Sequence, residues 1–393
     1  MSAVRTYIED ARDAMVADLV AYLEQETPSD DRAALDAGLD WVRGWVAERL
    51  GAPDQERIVD GGPHGDIAIL DIAASGGAGQ VAILCHYDTV WPLGTLAGWP
   101  VSIEGDRLTG PGAFDMKSGL VQAVWAIRAA RAAGLPLPAI RLVLNGDEEI
   151  GSPASRPVIE AEVVDCDAVL VFEASAEGAL KTARKGVGIF EVTARGIEGH
   201  AGLDPERGVS AIDEIARVVL ALHGASDLAA GTSVNVGTLH GGSRSNVTAG
   251  TATALVDVRV SDDAERARID ALLAELAPHR DGAAVEVAGG WNRPVMPRSD
   301  GTARLFALAE SAAEELGTVV REISVGGASD GNFAAALGLP VLDGLGAVGD
   351  GAHARHEWIS IDGMLERSAI AALVLGRLGS AEPVAQAASA ASR

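Results

Sequence analysis

Cysteine is almost absent from this chain: two residues in 393, Cys85 and Cys166. Two thiols make neither a disulfide framework nor a cysteine-rich zinc module, so any metal site must use His, Asp and Glu. Basic residues are scarce as well, with 31 Lys and Arg against 56 Asp and Glu, a formal net charge of −25. That deficit argues against nucleic acid and anionic membranes as partners, since both select basic surfaces. It also obliges an anionic substrate to find specific Arg or Lys residues. No apolar run reaches the length of a membrane span, and no fixed-period repeat is visible. The opening stretch "MSAVRTYIEDARDAMVADLVAYLEQ" spaces its apolar residues helically, with acids between them. It lacks the continuous apolar core of a secretory signal, so the cytoplasm is the expected compartment.

What is plentiful is core material. Hydrophobic residues make up 48% of the chain, ample for a core, and a length of 393 residues suggests two or three domains. Apolar periodicity predicts helices over 7–24 and 33–50. "DIAILDIAA", "VAILCHYD", "AIRLVLNGD" and "DAVLVFE" read as strands, and "KSGLVQAVWAIRAARAAG" as a helix closing at Gly134. Buried strands alternating with helices indicate an α/β domain. From 186 the pattern changes to strand "GVGIFEVTARG", helix 210–224, strands "TSVNVGTLHGG" and "GTATALVDVRV", helix 262–279 and strand "AAVEVAGG". That β-α-β-β-α-β order predicts a ferredoxin-like α+β unit over 186–291. Beyond it, helix 301–316, strands "TVVREISV" and "LPVLDGLG" and a helix near 362–378 return to α/β patterning. The expected organisation is a discontinuous α/β domain, 1–185 and 292–393, interrupted by the insert. The Ala/Ser-rich end, "SAEPVAQAASAASR", reads as frayed.

Acids and histidines recur where the α/β strands end. "VAILCHYDTV" runs from apolar residues into His86 and Asp88. Asp115 lies in "GPGAFDMKSG", Glu148 and Glu149 close "RLVLNGDEE", Glu173 closes "AVLVFE", and His353 lies in "GDGAHARHEW". Taken singly, each has an ordinary reading: a core histidine, a helix cap, a solvated acidic turn. Taken together, five segments aim metal-binding side chains at the carboxyl edge of one sheet, where α/β sites form. Carboxylates converging there repel unless a cation neutralises them. The donor types suit zinc, with cobalt or manganese as substitutes. Two histidines and three carboxylates exceed one tetrahedral ion, so a pair sharing a carboxylate fits better. Glu148 and Glu149, adjacent on an extended chain, point in opposite directions and take different roles.

"HYDTV", "GPGAFDMKSG", "NGDEEIGS", "FEAS" and "GDGAHARHEW" together resemble the signature blocks of a zinc-dependent amidohydrolase and exopeptidase family. It includes aminoacylases, acetylornithine deacetylase, succinyl-diaminopimelate desuccinylase and bacterial glutamate carboxypeptidases. The resemblance covers nearly everything after residue 65. It implies a zinc-exopeptidase-like catalytic domain carrying a ferredoxin-like lid and dimerisation domain. It implies that His86, Asp115 and Glu173 bind one zinc, and that Asp115, Glu149 and His353 bind the other, with Asp115 bridging. It further implies that Asp88 orients His86, that Glu148 is the general base, and that the Asp115–Met116 peptide is cis.

Among the branches, the glutamate carboxypeptidase type is the most similar. By that resemblance Lys181, Asn246, Arg259 and Arg293 hold the substrate's carboxylate and carbonyl. The resemblance further implies that His200, in "GHAG", reaches into a partner subunit's active site in a homodimer formed through the lid. Lys185 and the "GGASDGNF" loop, with Ser329 and Asp330, depart from that branch and leave side-chain specificity open. The expected activity is release of a C-terminal amino acid, glutamate or similar, from a small N-acyl or peptide-like substrate. The alternative is N-acyl amino acid deacylation by the same machinery. A metal-stabilised binding protein without activity is a third class, and the presence of Glu148 beside a complete ligand set speaks against it.

Overall fold

A computed structural model describes residues 2–380, so the expected fraying of the C-terminal Ala/Ser-rich stretch falls outside the described residues. The chain folds as two units, Met1–Ala183 with Arg298–Val325 and Ser329–Arg393, and Arg184–Pro297 with Gly326–Ala328.

The first unit begins with helices α1 (Ala3–Asp10), α2 (Arg12–Leu23) and α3 (Arg32–Leu50). The single helix expected over 7–24 is thus two, meeting at Ala11, whose φ of −88° and ψ of 0° leave the helical region. The apolar period runs on through the break, which is why sequence patterning misses it. Strands β1 (Gln55–Val59), β2 (Ile67–Ile72) and β3 (Gly76–His86) follow, then the short α4 (Thr95–Gly98), β4 (Ser102–Glu104) and β5 (Arg107–Thr109). Next come α5 (Ser118–Ala132), β6 (Leu137–Asn145), α6 (Arg156–Val163), β7 (Ala168–Val171) and β8 (Leu180–Arg184). The inner strands are buried on both faces, as their continuous Ile, Leu, Val and Ala runs require. Helix α5 is buried around most of its circumference. Gly119 lets it approach the sheet, since a Cβ there would sit 1.9 Å from the Phe172 carbonyl oxygen.

The second unit contains β9 (Gly186–Arg195), α7 (Ala211–Gly224), β10 (Ser233–Gly241), β11 (Thr251–Val260), α8 (Asp263–Ala274) and β12 (Ala284–Arg293). Its sheet is antiparallel in the order β10-β11-β9-β12, the ferredoxin-like arrangement. Val192, Ala254 and Val258 on one face pack with Ile215 and Leu222 of α7 and Ile269 of α8. Helix α8 stops five residues before its expected end. Pro278 cannot extend it, and the next amides, of His279 and Arg280, donate to the buried Glu214 carboxylate at 2.6 and 3.0 Å.

The first unit then resumes with α9 (Asp300–Glu315), β13 (Glu322–Val325), α10 (Gly331–Ala336), β14 (Val341–Leu342), β15 (Gly349–Asp350), β16 (Trp358–Ser360) and α11 (Ile361–Ser380). Its main sheet has the order β1-β2-β6-β3-β7-β14, with β6, β3, β7 and β14 parallel. Two predicted strands are much shorter than expected. Only Glu322–Val325 of 318–325 pairs, with β8, and only Val341–Leu342 of 339–346 pairs, with β7. Asp343 leaves the sheet to exchange backbone hydrogen bonds with Lys181.

Candidate metal centre

His86 is the last residue of β3, Asp115 lies in the turn Ala113–Lys117 ahead of α5, and Glu173 lies two residues beyond β7. The glutamate pair does not close a strand, which corrects the sequence expectation. Strand β6 stops at Asn145, and Glu148 and Glu149 sit in a 3-10 turn, Glu148–Ile150. Their roles are therefore separated by turn geometry, not by strand alternation. His353 occupies the loop after β15 with φ of 60°. The Asp115–Met116 peptide is cis.

These segments bring all five expected ligands together. His86 Nε2 lies 3.3 Å from Asp115 Oδ1 and 3.4 Å from Glu173 Oε1. His353 Nε2 lies 3.4 Å from Asp115 Oδ2 and 2.9 Å from Glu149 Oε2. Two triads result, His86–Asp115–Glu173 and Asp115–Glu149–His353, each with ligand atoms within 4.8 Å of one another. Asp115 belongs to both and turns one oxygen toward each histidine.

The set fits metal ions on three counts. Donors on a tetrahedral ion at ~2.0–2.1 Å stand roughly 3.3 Å apart, close to the separations found here. Glu149 Oε1 is buried without a hydrogen-bond partner, a cost that a cation would remove. The donors are also aimed: His86 Nδ1 faces the Asp88 backbone oxygen at 3.0 Å and its carboxylate at 3.3 Å, so Nε2 turns to the cluster.

The titration behaviour reports the same demand for positive charge. Burial opposes charge on His86, yet contacts with Asp115, Asp88 and Glu173 outweigh it and hold its pKa well above the usual range. Hydrogen bonds to Asp115 and Glu149 raise His353 to about 10. Glu149 rises to about 7, through burial and then the charge of Asp115. Burial would raise Asp115 too, but the two histidines hold it low.

Asp88 is fully buried and does more than face His86. Its carboxylate accepts the backbone N–H groups of Glu148 and Glu149, each at 3.2 Å, and the Ser29 hydroxyl at 2.7 Å. The sequence reading missed Ser29. It also missed Glu357, whose buried carboxylate binds the Asp115 turn, and Lys117, whose buried ammonium donates to the Gln25 carbonyl. Burial lowers Lys117 to about 7 and raises Glu357 to about 7. Glu357 stands four residues after His353, but no local pattern there marks it as a site residue.

The remaining candidates stand as follows. Lys181 is in β8, its main chain paired with Asp343. In the second unit, His200 is exposed, and its Nδ1 accepts the N–H groups of Gly202 and Leu203 at 3.1 Å each. That leaves Nε2 to carry the proton. The Asn246 carbonyl accepts the Ala201 N–H at 3.0 Å, which ties the Asn246 loop to that of His200. Arg259 forks onto Asp257, two residues away on the same face of β11, with both contacts at 2.8 Å. Arg293 ends β12, buried, and Nη1 donates to Asn292 Oδ1. Ser329 and Asp330 are buried in the first unit, where Ser329 donates to Asp343 at 2.6 Å and Asn145 donates to Asp330 at 2.8 Å. Among the described residues, no helix is long and apolar enough to cross a membrane.

Comparison with known proteins places these residues in a family. The profile of "Peptidase family M20/M25/M40" matches residues 82–377. Carboxypeptidase G2 of Pseudomonas sp. (strain RS-16) is 31% identical over 322 residues, which cover 80% of this chain and 77% of that protein. Succinyl-diaminopimelate desuccinylase of Phenylobacterium zucineum is 28% identical, covering 74% of this chain and 81% of that protein. The crystal structure of aminopeptidase PepT from Bacillus cereus superposes with a TM-score of 0.78 at 20% identity, over 93% of this chain and 98% of that one. The chain belongs to peptidase family M20/M25/M40 and is a hydrolase.

Proposed function

We propose that this hydrolase is a two-zinc carboxypeptidase. In this reading it cleaves an amide bond in a small N-acyl or peptide-like substrate and releases a C-terminal amino acid, glutamate or a close analogue. The observation that carries the reading is Asp115, shared by two donor triads with one oxygen toward each histidine. The similarity to carboxypeptidase G2 supports release of a C-terminal residue.

His86, Asp115 and Glu173 would hold one ion, and Asp115, Glu149 and His353 the other. Bound there, the pair supplies Lewis acidity, lowering the pKa of water and polarising the amide carbonyl. Glu148 then acts as the base. It takes a proton from the attacking water as the oxygen adds to the carbonyl carbon. It delivers that proton to the amide nitrogen as the carbon–nitrogen bond breaks, leaving an acid and an amine. Asp88 fixes the tautomer of His86. His200 Nε2–H donates to the developing oxyanion in a partner subunit of a homodimer. Arg293 pairs with the substrate carboxylate, with Lys181, Asn246 and Arg259 completing substrate contacts.

N-acyl amino acid deacylation is the second reading, favoured by the similarity to the desuccinylase. A substrate panel separates the two. Zinc-loaded protein is offered N-acetyl amino acids and, in parallel, N-aroyl or N-carbobenzoxy glutamate, and free amino acid is detected. Preference for the blocked glutamates supports the carboxypeptidase, and preference for the acetyl series supports the deacylase. Inactivity on both series with zinc bound overturns both.

A further inference from the structure

Glu357 lies four residues beyond His353 and is fully buried. Its Oε1 accepts the backbone N–H groups of Phe114 and Asp115 at 2.7 and 3.0 Å. Its Oε2 accepts the Gly112 N–H at 3.0 Å and the Trp91 indole N–H at 2.9 Å. Three of these four donors are main-chain groups of the turn that carries Asp115. The fourth comes from the loop that follows His86 and Asp88.

Both partners of this contact are themselves closely fitted. Gly112 has φ of 74°, and a Cβ there would lie 2.7 Å from a Thr89 methyl. On the other side, Glu357 N–H donates to Ala354 O, and Ala354 N–H to Gly351 O, each at 2.9 Å. His353 therefore sits inside a closed loop whose far end grips the Asp115 turn. The geometry points to Glu357 as the positioning residue of the metal centre: its carboxylate sets the Asp115 turn and the His353 loop in register. This inference rests on the two-ion reading above.

The chemistry requires a carboxylate. Ionised acceptors make roughly twice as strong a hydrogen bond as neutral ones, and both oxygens are used. A glutamine offers one acceptor and turns an NH₂ toward two donors. Asp115 serves both triads, and the one more exposed to such a change is Asp115–Glu149–His353, because His353 lies on the loop that Glu357 itself closes. His86 and Glu173 stand on the ends of β3 and beyond β7, supported by the sheet.

The test is a calorimetric titration of chelator-stripped full-length protein with zinc alone. Wild type should take up two ions. In Glu357→Gln one of the two steps should weaken by roughly 10–100-fold, the cost typical of losing a residue that orients ligands, while the other, which shares only Asp115 with it, weakens clearly less. Glu357→Asp, which keeps the charge but withdraws it by a methylene, should weaken the same step. It carries the test if the glutamine variant fails to fold. A residue that merely stabilises the fold would lower the unfolding midpoint of the metal-free protein without singling out one step. Two wild-type steps in a folded variant, or equal weakening of both, overturns the inference. Uptake of a single ion by wild type overturns the two-ion reading instead, and Glu357 is then judged on whether that ion is held more weakly.

Discussion

Glu148 donates its backbone N–H to the carboxylate of Asp88 at 3.2 Å, and Glu149 does the same beside it. The turn is thus gripped by its main chain at this point. Removing the Glu148 side chain leaves both of these hydrogen bonds intact. Glu148→Ala should therefore keep the metal content of wild type while hydrolysis falls by roughly 10²–10⁴-fold or more. Metal analysis and turnover on the same preparation check this. An ion lost with Glu148 would move that residue into the ligand set.

Arg293 is the proposed grip on the substrate carboxylate. The chain is acidic, and a carboxylate is best held by a planar guanidinium that donates two parallel hydrogen bonds. Arg293→Lys should raise KM markedly for a substrate with a free carboxylate. It should have less effect on the amide-capped analogue, which has no charge to lose. Equal losses on the two would make Arg293 a structural residue, consistent with its burial and its contact with Asn292.

A third expectation concerns stability away from the centre. Asp18 is buried in α2 and receives Arg49 through two bonds, at 2.8 and 2.6 Å, and the Trp125 indole at 2.9 Å. Burial raises its pKa, but these bonds outweigh it and the net shift is downward. The folded pKa therefore lies below the unfolded one. The stabilisation is complete above the unfolded value of about 3.9 and fades as pH falls through the folded value. Asp18→Asn should lower stability by about 2 kcal/mol at neutral pH. The gap from wild type should narrow at about pH 3. Urea unfolding of both proteins at the two pH values measures it, and a constant gap would count against the ion pair.

Asp18 also shows where sequence reading stops. His86, Asp115, Glu149, Glu173 and His353 were legible because each follows an apolar run or a Gly-rich turn, and their convergence follows from where α/β strands end. The ferredoxin-like unit was legible because β9 and β11 alternate with period two. Contacts between distant segments leave no such trace. Glu357 reaches a turn 242 residues earlier, and Arg49 reaches Asp18 across 31. Nothing in "ARHEW" or "VAERL" marks either. The break at Ala11 was hidden for the opposite reason: a local change of ψ leaves the apolar spacing intact. The Glu148 turn was misread because the apolar run of β6 passes into acids with no Gly or Pro but Gly146 to signal its end.

The last expectation concerns His200 and the proposed homodimer. The second unit leaves β10 and β12 as edge strands, and open edges of this kind can pair across a two-fold axis. The amides of Gly202 and Leu203 occupy His200 Nδ1, so Nε2–H is the free donor, the form suited to an oxyanion. If that donor serves the partner subunit, His200→Ala and Glu148→Ala proteins, each nearly inactive, should regain activity when their subunits exchange. A mixed dimer then holds one site with intact Glu148 and a His200 from the other chain. Random exchange makes about half of the dimers mixed, with one sound site in two, so about a quarter of wild-type sites should return. If His200 serves its own chain, every site in the mixed dimer lacks one of the two residues. Subunit exchange verified by mass-tagged chains, with no recovery of turnover, would exclude action across the dimer.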